Sequence, residues 1–353
     1  MEKLLMKGNE AIAEAAIRAG CRHFYGYPIT PQTEVSAYMS KKMPKVGGLF
    51  LQSESEVAAI NMVYGSAAAG VRAMTSSSSP GISLKSEGIS YIAGADLPCV
   101  ILNIVRGGPG LGGIQPAQSD YFQATKGGGH GDYHLVVLAP SSIQECVDLT
   151  FEAFDIADTY RLPVMIMGDG MLGQMMEPVV FGEHKGRELP EKTWACCGTG
   201  MKREHNIINS LYIDPKELED TIIARQKKYD YILENEVKYA TDSVEDADIV
   251  LVAYGTIGRV AKNAMVKARA EGIKVGLVRP ITLWPFPEKA INEIASTAKA
   301  FISVEMSMGQ MVEDVRLAVN GKAPVYFTGR TGGIIPQPTE ILEKIKEVAG
   351  GIR

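Results

Sequence analysis

The chain has 353 residues, of which 46% are hydrophobic and 22% are charged, and its formal net charge at pH 7 is −5. This is the composition of a globular protein with more than one domain. The acidic balance excludes the basic surface by which proteins bind nucleic acid. No apolar run reaches the roughly 18 residues of a membrane span, and the N-terminus has no signal-peptide pattern. We therefore expect a cytoplasmic protein with neither a nucleic-acid nor a membrane partner.

The cysteines and histidines show no ligand pattern. None of the five cysteines forms a C-x-x-C pair, and only Cys196 and Cys197 are close in sequence. Direct neighbours are poor chelators, so neither a zinc or iron–sulfur site made by this chain alone nor a disulfide framework is expected. The histidine spacing predicts no metal site either.

Strand and helix patterns alternate through the first 170 residues. The first helix is predicted over 9–19 with Asn9 as its N-cap. Strands are predicted at 23–27, 49–54, 71–78, 97–107, 134–140 and 162–170, with helices between them. The nearly continuous apolar run from Cys99 to Val105 is typical of a buried parallel strand. The alternation predicts an α/β fold with a doubly wound parallel sheet.

The second half begins with a polar stretch and then repeats the α/β pattern on a smaller scale. A long helix is predicted over 214–238, inside a helical connector. From ADIVLVAYGT onwards, strands and helices alternate again to the C-terminus. We therefore predict three regions, 1–185, 186–245 and 246–353.

Two acids stand where the second strand gives way to a helix rich in Ala, Gly and Ser. They are Glu54 and Glu56, and the helix is predicted over 57–69. An acid at a helix start is commonly a simple complement to the helix dipole. It can also be an acid held out of water to exchange a proton with a bound cofactor. The pattern alone leaves both interpretations open.

Two other loops fall at strand ends, where ligands bind in open α/β sheets. The segment YPITP (27–31) holds Ile29 and Thr30 between two prolines. Arg106 follows the apolar strand and precedes a glycine-rich loop, and its fork suits a carboxylate or a phosphate. The alternatives are a proline-fixed loop and an ordinary salt bridge. The GDG at 168–170 lacks an Asn at the spacing of a magnesium–diphosphate motif, so we interpret it as a turn.

Several motifs together resemble one family. They are GYPITP (26–31), SESEVAAINMVYGSAAAG (53–70), TSSSSPG (75–81), VRGGPG (105–110), QSD (118–120), VGLVRPITLWPFP (275–287) and VEMSMGQMVEDVR (304–316). In this order they resemble the alpha-type subunit of the 2-oxoacid:ferredoxin oxidoreductases, and most of all its branched-chain type. The resemblance implies a thiamine diphosphate pyrimidine-binding domain at 1–185 and a transketolase C-terminal-like domain at 246–353.

The resemblance also assigns roles to residues. Glu56, and not Glu54, matches the glutamate that hydrogen-bonds N1′ of the aminopyrimidine and favours ylide formation. Ile29 and Thr30 match the loop that touches the cofactor and the substrate oxygens. Arg106 matches the position that holds the 2-oxoacid carboxylate in pyruvate-type enzymes. The implied catalytic residue is Glu56, the cofactor-binding residues are Ile29, Thr30 and Glu56, and the substrate-binding residues are Thr30 and Arg106.

The implied reaction is the oxidative decarboxylation of 2-ketoisovalerate to acyl-CoA and CO2, with ferredoxin as electron acceptor and coenzyme A as co-substrate. A beta-type subunit is expected to bring Mg2+ and the diphosphate half of a shared thiamine diphosphate site. Gamma and ferredoxin-like subunits are expected to complete the hetero-oligomer, with [4Fe-4S] clusters in the partners. The alternatives are the same chemistry on 2-oxoglutarate and a non-catalytic scaffold subunit of such a complex.

Overall fold

A computed structural model describes residues 3–352. Its strands are β1 (Leu4–Lys7), β2 (His23–Gly26), β3 (Leu49–Gln52), β4 (Ala73–Ser77), β5 (Cys99–Val105), β6 (Val136–Leu138), β7 (Pro163–Asp169), β8 (Met176–Val179), β9 (Tyr239–Asp242), β10 (Ile249–Val252), β11 (Val275–Pro280), β12 (Thr282–Trp284), β13 (Ala300–Glu305) and β14 (Val325–Gly329). Its α-helices are α1 (Gly8–Arg18), α2 (Thr33–Lys42), α3 (Glu56–Ala68), α4 (Pro80–Gly94), α5 (Tyr121–Thr125), α6 (Ile143–Tyr160), α7 (Gly170–Gln174), α8 (Pro215–Asn235), α9 (Gly255–Ala270), α10 (Glu288–Ile294), α11 (Met311–Val319) and α12 (Pro338–Gly351), and a 3-10 helix covers Met43–Val46.

A seven-stranded sheet organises the first half, in the order β12-β6-β7-β5-β4-β2-β3. Six of its strands are parallel, and β12 joins the edge antiparallel to β6. Helix α1 packs on α6 and helix α3 on α4. Strand β5 lies at the centre and is buried along its whole length, as its nearly continuous apolar run predicts. The predicted doubly wound parallel sheet is confirmed.

The second sheet has five strands in the order β14-β13-β10-β11-β9. Strands β14, β13, β10 and β11 are parallel, and β9 pairs antiparallel with β11. Helices α9 and α12 pack on each other and share a separate apolar cluster with this sheet. The predicted second α/β unit is therefore present. Strand β12 follows β11 in the chain but pairs with β6 of the first sheet, and this pairing connects the two sheets.

The N-terminal residues differ from the prediction. Strand β1 pairs with β8, and helix α1 begins at Gly8 with Lys7 as its N-cap. The prediction of Asn9 as N-cap is wrong, because its side chain forms hydrogen bonds with the segment around Pro31 and Glu34 and not with the start of α1. Asn9 is buried inside the helix, and its Nδ2 donates to the Pro31 carbonyl at 2.9 Å and to Glu34 at 2.8 Å.

The region between the two sheets contains one long helix, α8, which starts one residue after its Asp214 cap. Arg225 of α8 is buried and forms an ion pair with Asp96, in the turn that follows α4. The boundaries at 185 and 245 remain a prediction. Across residues 3–352, no helix combines the length and the apolar character that a membrane crossing demands.

Candidate active site

Helix α3 begins on the acid that the sequence singled out. Ser55 takes an extended conformation as N-cap, and its side chain accepts a hydrogen bond from the Ala58 amide at 3.1 Å. Glu56 is the first helical residue and only 6% exposed, whereas Glu54 precedes the cap and is exposed. The cap therefore fixes Glu56 inside the protein and leaves Glu54 outside.

The start of α4 lies directly against Glu56. A Cβ atom added to Gly81 would lie 2.8 Å from Glu56 Oε1 and 2.0 Å from Ser77 Oγ. Two turns later, a Cβ at Gly88 would lie 2.4 Å from Ile60 Cγ2 of α3. These glycines let the two helices approach closely, so the acid is enclosed by the backbone of α4.

Hydroxyl groups line the end of β4 beside this carboxylate. Thr75, Ser77 and Ser78 are fully buried, and none of their side-chain oxygens has a hydrogen-bond partner among the residues that the structure describes. Thr75 and Ser77 share one face of the strand. Ser76 points to the other face and donates to Gln32 Oε1 at 2.5 Å. Buried polar groups without partners are costly, so this cluster suits a polar ligand.

Arg106 and the YPITP loop are in direct contact. Arg106 is 7% exposed, and its Nη1 donates to the Thr30 carbonyl at 3.0 Å. Its Nη2 donates to the Leu111 carbonyl at 3.2 Å, while its Nε is buried without a partner in the described part of the chain. The Thr30 side chain is exposed and Ile29 is half-buried. Two predicted site residues therefore meet, through the Thr30 backbone.

Ser79 connects the Arg106 side of the site to the start of α4. Its hydroxyl lies 3.1 Å from the Arg106 amide and 3.2 Å from the Arg106 carbonyl. Asn103 accepts from the Ser79 amide at 3.2 Å and donates to Asp120 at 2.9 Å. Burial raises the pKa of Asp120. The sequence analysis assigned no role to Asn103 or to Asp120 of the QSD motif, although one polar residue within an apolar strand was a signal for Asn103.

The GDG acid has a structural task. Asp169 ends β7 and caps α7, and its Oδ1 accepts from the amides of Met171 at 2.9 Å and Leu172 at 3.0 Å. Its Oδ2 accepts from the Thr256 hydroxyl of the second unit. Both carboxylate oxygens are therefore engaged within the chain. The GDG forms the junction where β7 passes directly into α7, and not the separate turn that the sequence predicts.

The loop after Arg106 is docked on the second unit through glutamines. The Gln118 amide donates to the Met306 carbonyl at 2.8 Å, and the Met306 amide donates to Gln118 Oε1 at 2.9 Å. Gln310 donates to the Ser119 carbonyl at 2.8 Å and accepts from the Phe122 amide at 2.8 Å. The QSD motif (118–120) thus binds the VEMSMGQMVEDVR motif (304–316), and these contacts fix the path of the loop.

Two family models cover most of the chain. One, described as pyruvate flavodoxin/ferredoxin oxidoreductase, thiamine diphosphate-binding, matches residues 14–234. The other, pyruvate:ferredoxin oxidoreductase core domain II, matches residues 247–341.

Full-length relatives agree. The chain is 53% identical over 350 residues to the ketoisovalerate oxidoreductase subunit VorB of Methanothermobacter marburgensis, with 99% of each protein covered. It is 37% identical to the 2-oxoglutarate synthase subunit KorA of the same organism, with 98% of each covered.

Solved structures show the same architecture. A 2-oxoglutarate:ferredoxin oxidoreductase from Magnetococcus marinus, with 2-oxoglutarate, coenzyme A and succinyl-CoA bound, superposes with a TM-score of 0.89 at 29% identity. That match covers 99% of this chain and 65% of the other. A split-gene transketolase, at TM-score 0.62 and 14% identity, shares the fold. By sequence and by structure, the chain belongs to the thiamine diphosphate-binding 2-oxoacid:ferredoxin oxidoreductase family, as an alpha-type subunit.

Proposed function

We propose that this chain holds the aminopyrimidine half of thiamine diphosphate in an enzyme that oxidatively decarboxylates 2-ketoisovalerate to acyl-CoA and CO2 and reduces ferredoxin. One observation carries the choice of substrate. Identity to the ketoisovalerate oxidoreductase subunit is 53%, against 37% for the 2-oxoglutarate synthase subunit, over nearly the whole chain in both comparisons. The burial of Glu56 and its close contact with α4 at Gly81 support the placement of the cofactor.

The residues around Glu56 fit an aminopyrimidine ring. The site combines a carboxylate with unpartnered hydroxyls of Ser77 and Ser78. Gly81 has no side chain, so the start of α4 leaves space beside the carboxylate. Thiamine diphosphate, when bound, supplies the electron sink that allows a 2-oxoacid to lose CO2. Glu56 faces the ring nitrogen N1′ in this proposal and holds or releases a proton there. Burial keeps water away from that proton.

The other predicted residues take roles on the substrate side. We assign Ile29 and Thr30 to the loop that contacts the cofactor and the substrate oxygens. Arg106 is assigned to the substrate carboxylate, a role supported by its position at the carboxyl end of β5 and by its contact with the Thr30 carbonyl. The free Nε of Arg106 leaves a donor for this purpose.

The proposal includes partner subunits. The relatives are named as subunits, and both oxygens of Asp169 are engaged within this chain. We infer that a beta-type subunit brings Mg2+ and the diphosphate half of the site. We further infer that gamma and ferredoxin-like subunits carry [4Fe-4S] clusters and that coenzyme A is the acyl acceptor. The predicted domain boundaries and cytoplasmic location stay predictions.

The test of function is a substrate panel with the assembled complex and with the isolated chain. The complex is expected to reduce ferredoxin with 2-ketoisovalerate at a kcat/KM at least about tenfold above that with 2-oxoglutarate. The isolated chain is expected to show no oxidation of either acid, because its site is only half of the whole. Robust activity of the isolated chain contradicts the shared site.

The second candidate is the same chemistry on 2-oxoglutarate. The similarity in structure to an oxidoreductase that has 2-oxoglutarate bound favours it. A preference of the complex for 2-oxoglutarate in the same panel would replace the branched-chain assignment. A non-catalytic scaffold is the third possibility, and substitution of Glu56 separates it from both enzymes.

A change at Gly81 tests the close approach of α4. Gly81→Ala places a methyl group within 3 Å of Glu56 Oε1 and Ser77 Oγ, so one of them must move. We expect kcat of the complex to fall by about tenfold to a hundredfold, as for other displacements of about 1 Å at a reacting centre. The matched control is Gly350→Ala, at an exposed position of α12 with open space around it. Full activity of Gly81→Ala contradicts the proposed ring position.

A further inference from the structure

Lys85 is a buried charge that the function described above does not use. It lies on α4 and is fully buried. Its Nζ has neither a hydrogen-bond partner nor an ion-pair partner within residues 3–352. Lysines are almost never fully buried unless they are paired, and an unpaired buried ammonium group is costly. A lysine retained in this environment calls for a physical reason.

The geometry of α4 places Lys85 on the helix face that meets Glu56. Lys85 lies one turn after Gly81, on the same face of the helix. Side chains of an α-helix lean towards its N-terminus, so the Lys85 stem extends over Gly81. Gly81 has no side chain there and is the residue that contacts Glu56. Gly88, on the same face, packs on Ile60 and closes the other end.

The electrostatics of this enclosure involve one pair of charges. Burial lowers the pKa of Lys85 to about 8, and the negative charge of Glu56 opposes that shift. No other charged group of the described residues acts on Lys85. The carboxylate of Glu56, in turn, accepts no hydrogen bond from Thr75 or Ser77 of β4, whose hydroxyls have no partner among the described residues. Glu56 is therefore the charged group to which Lys85 is coupled.

We propose that Lys85 is a positioning residue for Glu56, and that its buried ammonium group on α4 holds the Glu56 carboxylate in its orientation towards the bound cofactor. The inference rests on the proposed function and deepens it. Lys85 itself touches neither cofactor nor substrate and acts through Glu56.

The coupling can be measured in the isolated chain, without cofactor or partners. Lys85 is followed by NMR in protein labelled with 13C-lysine, and its resonance is assigned by its loss in Lys85→Met. The wild-type midpoint is expected near pH 8. Glu56→Gln is expected to lower it by about one pH unit or more, because the attracting charge is gone. An unchanged midpoint in Glu56→Gln overturns the inference, whatever the activity of the complex.

The assembled complex supplies the second readout. Lys85→Met is expected to lower kcat about tenfold at pH 7 with little change in KM, and to remove the decline in activity above pH 8 that is expected of the wild type. The control is Lys267→Met, at an exposed lysine in the last turn of α9. A Lys85→Met complex with the wild-type pH profile overturns the inference. If this variant does not fold, Lys85→Arg supplies the assignment of the Lys85 resonance, and the Glu56→Gln titration then decides.

The two proposals fail in different ways. A Glu56→Gln complex with near wild-type turnover contradicts the proposed function, even when the Lys85 midpoint has moved. A Lys85 midpoint that is insensitive to Glu56→Gln contradicts only the role of Lys85.

Discussion

Glu56→Gln is expected to lower the turnover of the assembled oxidoreductase by about 10²–10⁴-fold, the range that positioned acid–base groups contribute. Glutamine has the same size, so the contact of Glu56 with Gly81 and the start of α3 can be kept. The amide cannot hold or release a proton at the ring nitrogen. The loss therefore belongs to the chemistry and not to packing, and it falls on kcat more than on KM.

The measurement is steady-state reduction of ferredoxin with 2-ketoisovalerate, together with the thermal midpoint of each variant. Glu54→Gln is the matched control, since it makes the same chemical change at an exposed acid two residues earlier. It should retain activity. A Glu56→Gln complex within about threefold of the wild type would favour the scaffold alternative over both enzymatic ones.

The parts of the fold that follow from local pattern could be predicted. The run Cys99–Val105, apolar except for Asn103, identifies β5 as a central strand, because a strand buried on both faces is apolar along nearly its whole length. The pairing of β1 with β8 and of β12 with β6 could not be predicted. Each pair joins segments more than 140 residues apart, and the sequence of a short strand does not identify so distant a partner.

The site shows the same division. The sequence places Glu56 and Arg106 at the carboxyl ends of the strands, where ligands bind, since both follow strands. It does not show that Glu56 is enclosed by Gly81, because that contact depends on how α3 and α4 pack. Lys85 was missed for a related reason. A lysine in a helix is normally exposed, and only the three-dimensional structure shows this one inside.

The buried acid Glu305 ends β13 and holds the turn that leads into α11. It is fully buried and accepts five hydrogen bonds. Its Oε1 accepts from the Ser303 hydroxyl at 3.0 Å and the Val312 amide at 2.9 Å. Its Oε2 accepts from Ser307 at 2.9 Å and from two further amides of the α11 start, at 2.9 and 3.0 Å. The carboxylate also complements the positive end of the α11 dipole.

Glu305 is connected to the candidate active site through Met306, the next residue in the chain. Met306 exchanges two hydrogen bonds with Gln118, at the end of the loop that begins at Arg106. Gln310, whose amide binds Glu305, binds Ser119 and Phe122 of the same segment. Disruption of the turn is therefore expected to loosen the docking of this loop as well as the second unit itself.

Glu305→Ala is expected to lower the free energy of unfolding by about 3–5 kcal/mol, the cost typical of breaking a buried charged network. The three backbone amides at the start of α11 would lose their acceptor, at about 1–3 kcal/mol for each group left unsatisfied. The loss is expected to be smaller than the sum over the three amides, because the alanine variant has no buried carboxylate and so lacks its desolvation cost. Urea titration followed by circular dichroism measures the loss.

Two further variants separate the network from a general effect of substitution. Glu305→Gln keeps the shape but must turn its amide group towards at least one backbone N–H, since both oxygens of Glu305 accept from such donors. It should lose about 1–3 kcal/mol. Glu313→Ala, at an exposed acid in the first turn of the same helix, should stay within about 0.5 kcal/mol of the wild type. A Glu305→Ala protein as stable as the Glu313→Ala protein would show that the turn holds without its acid.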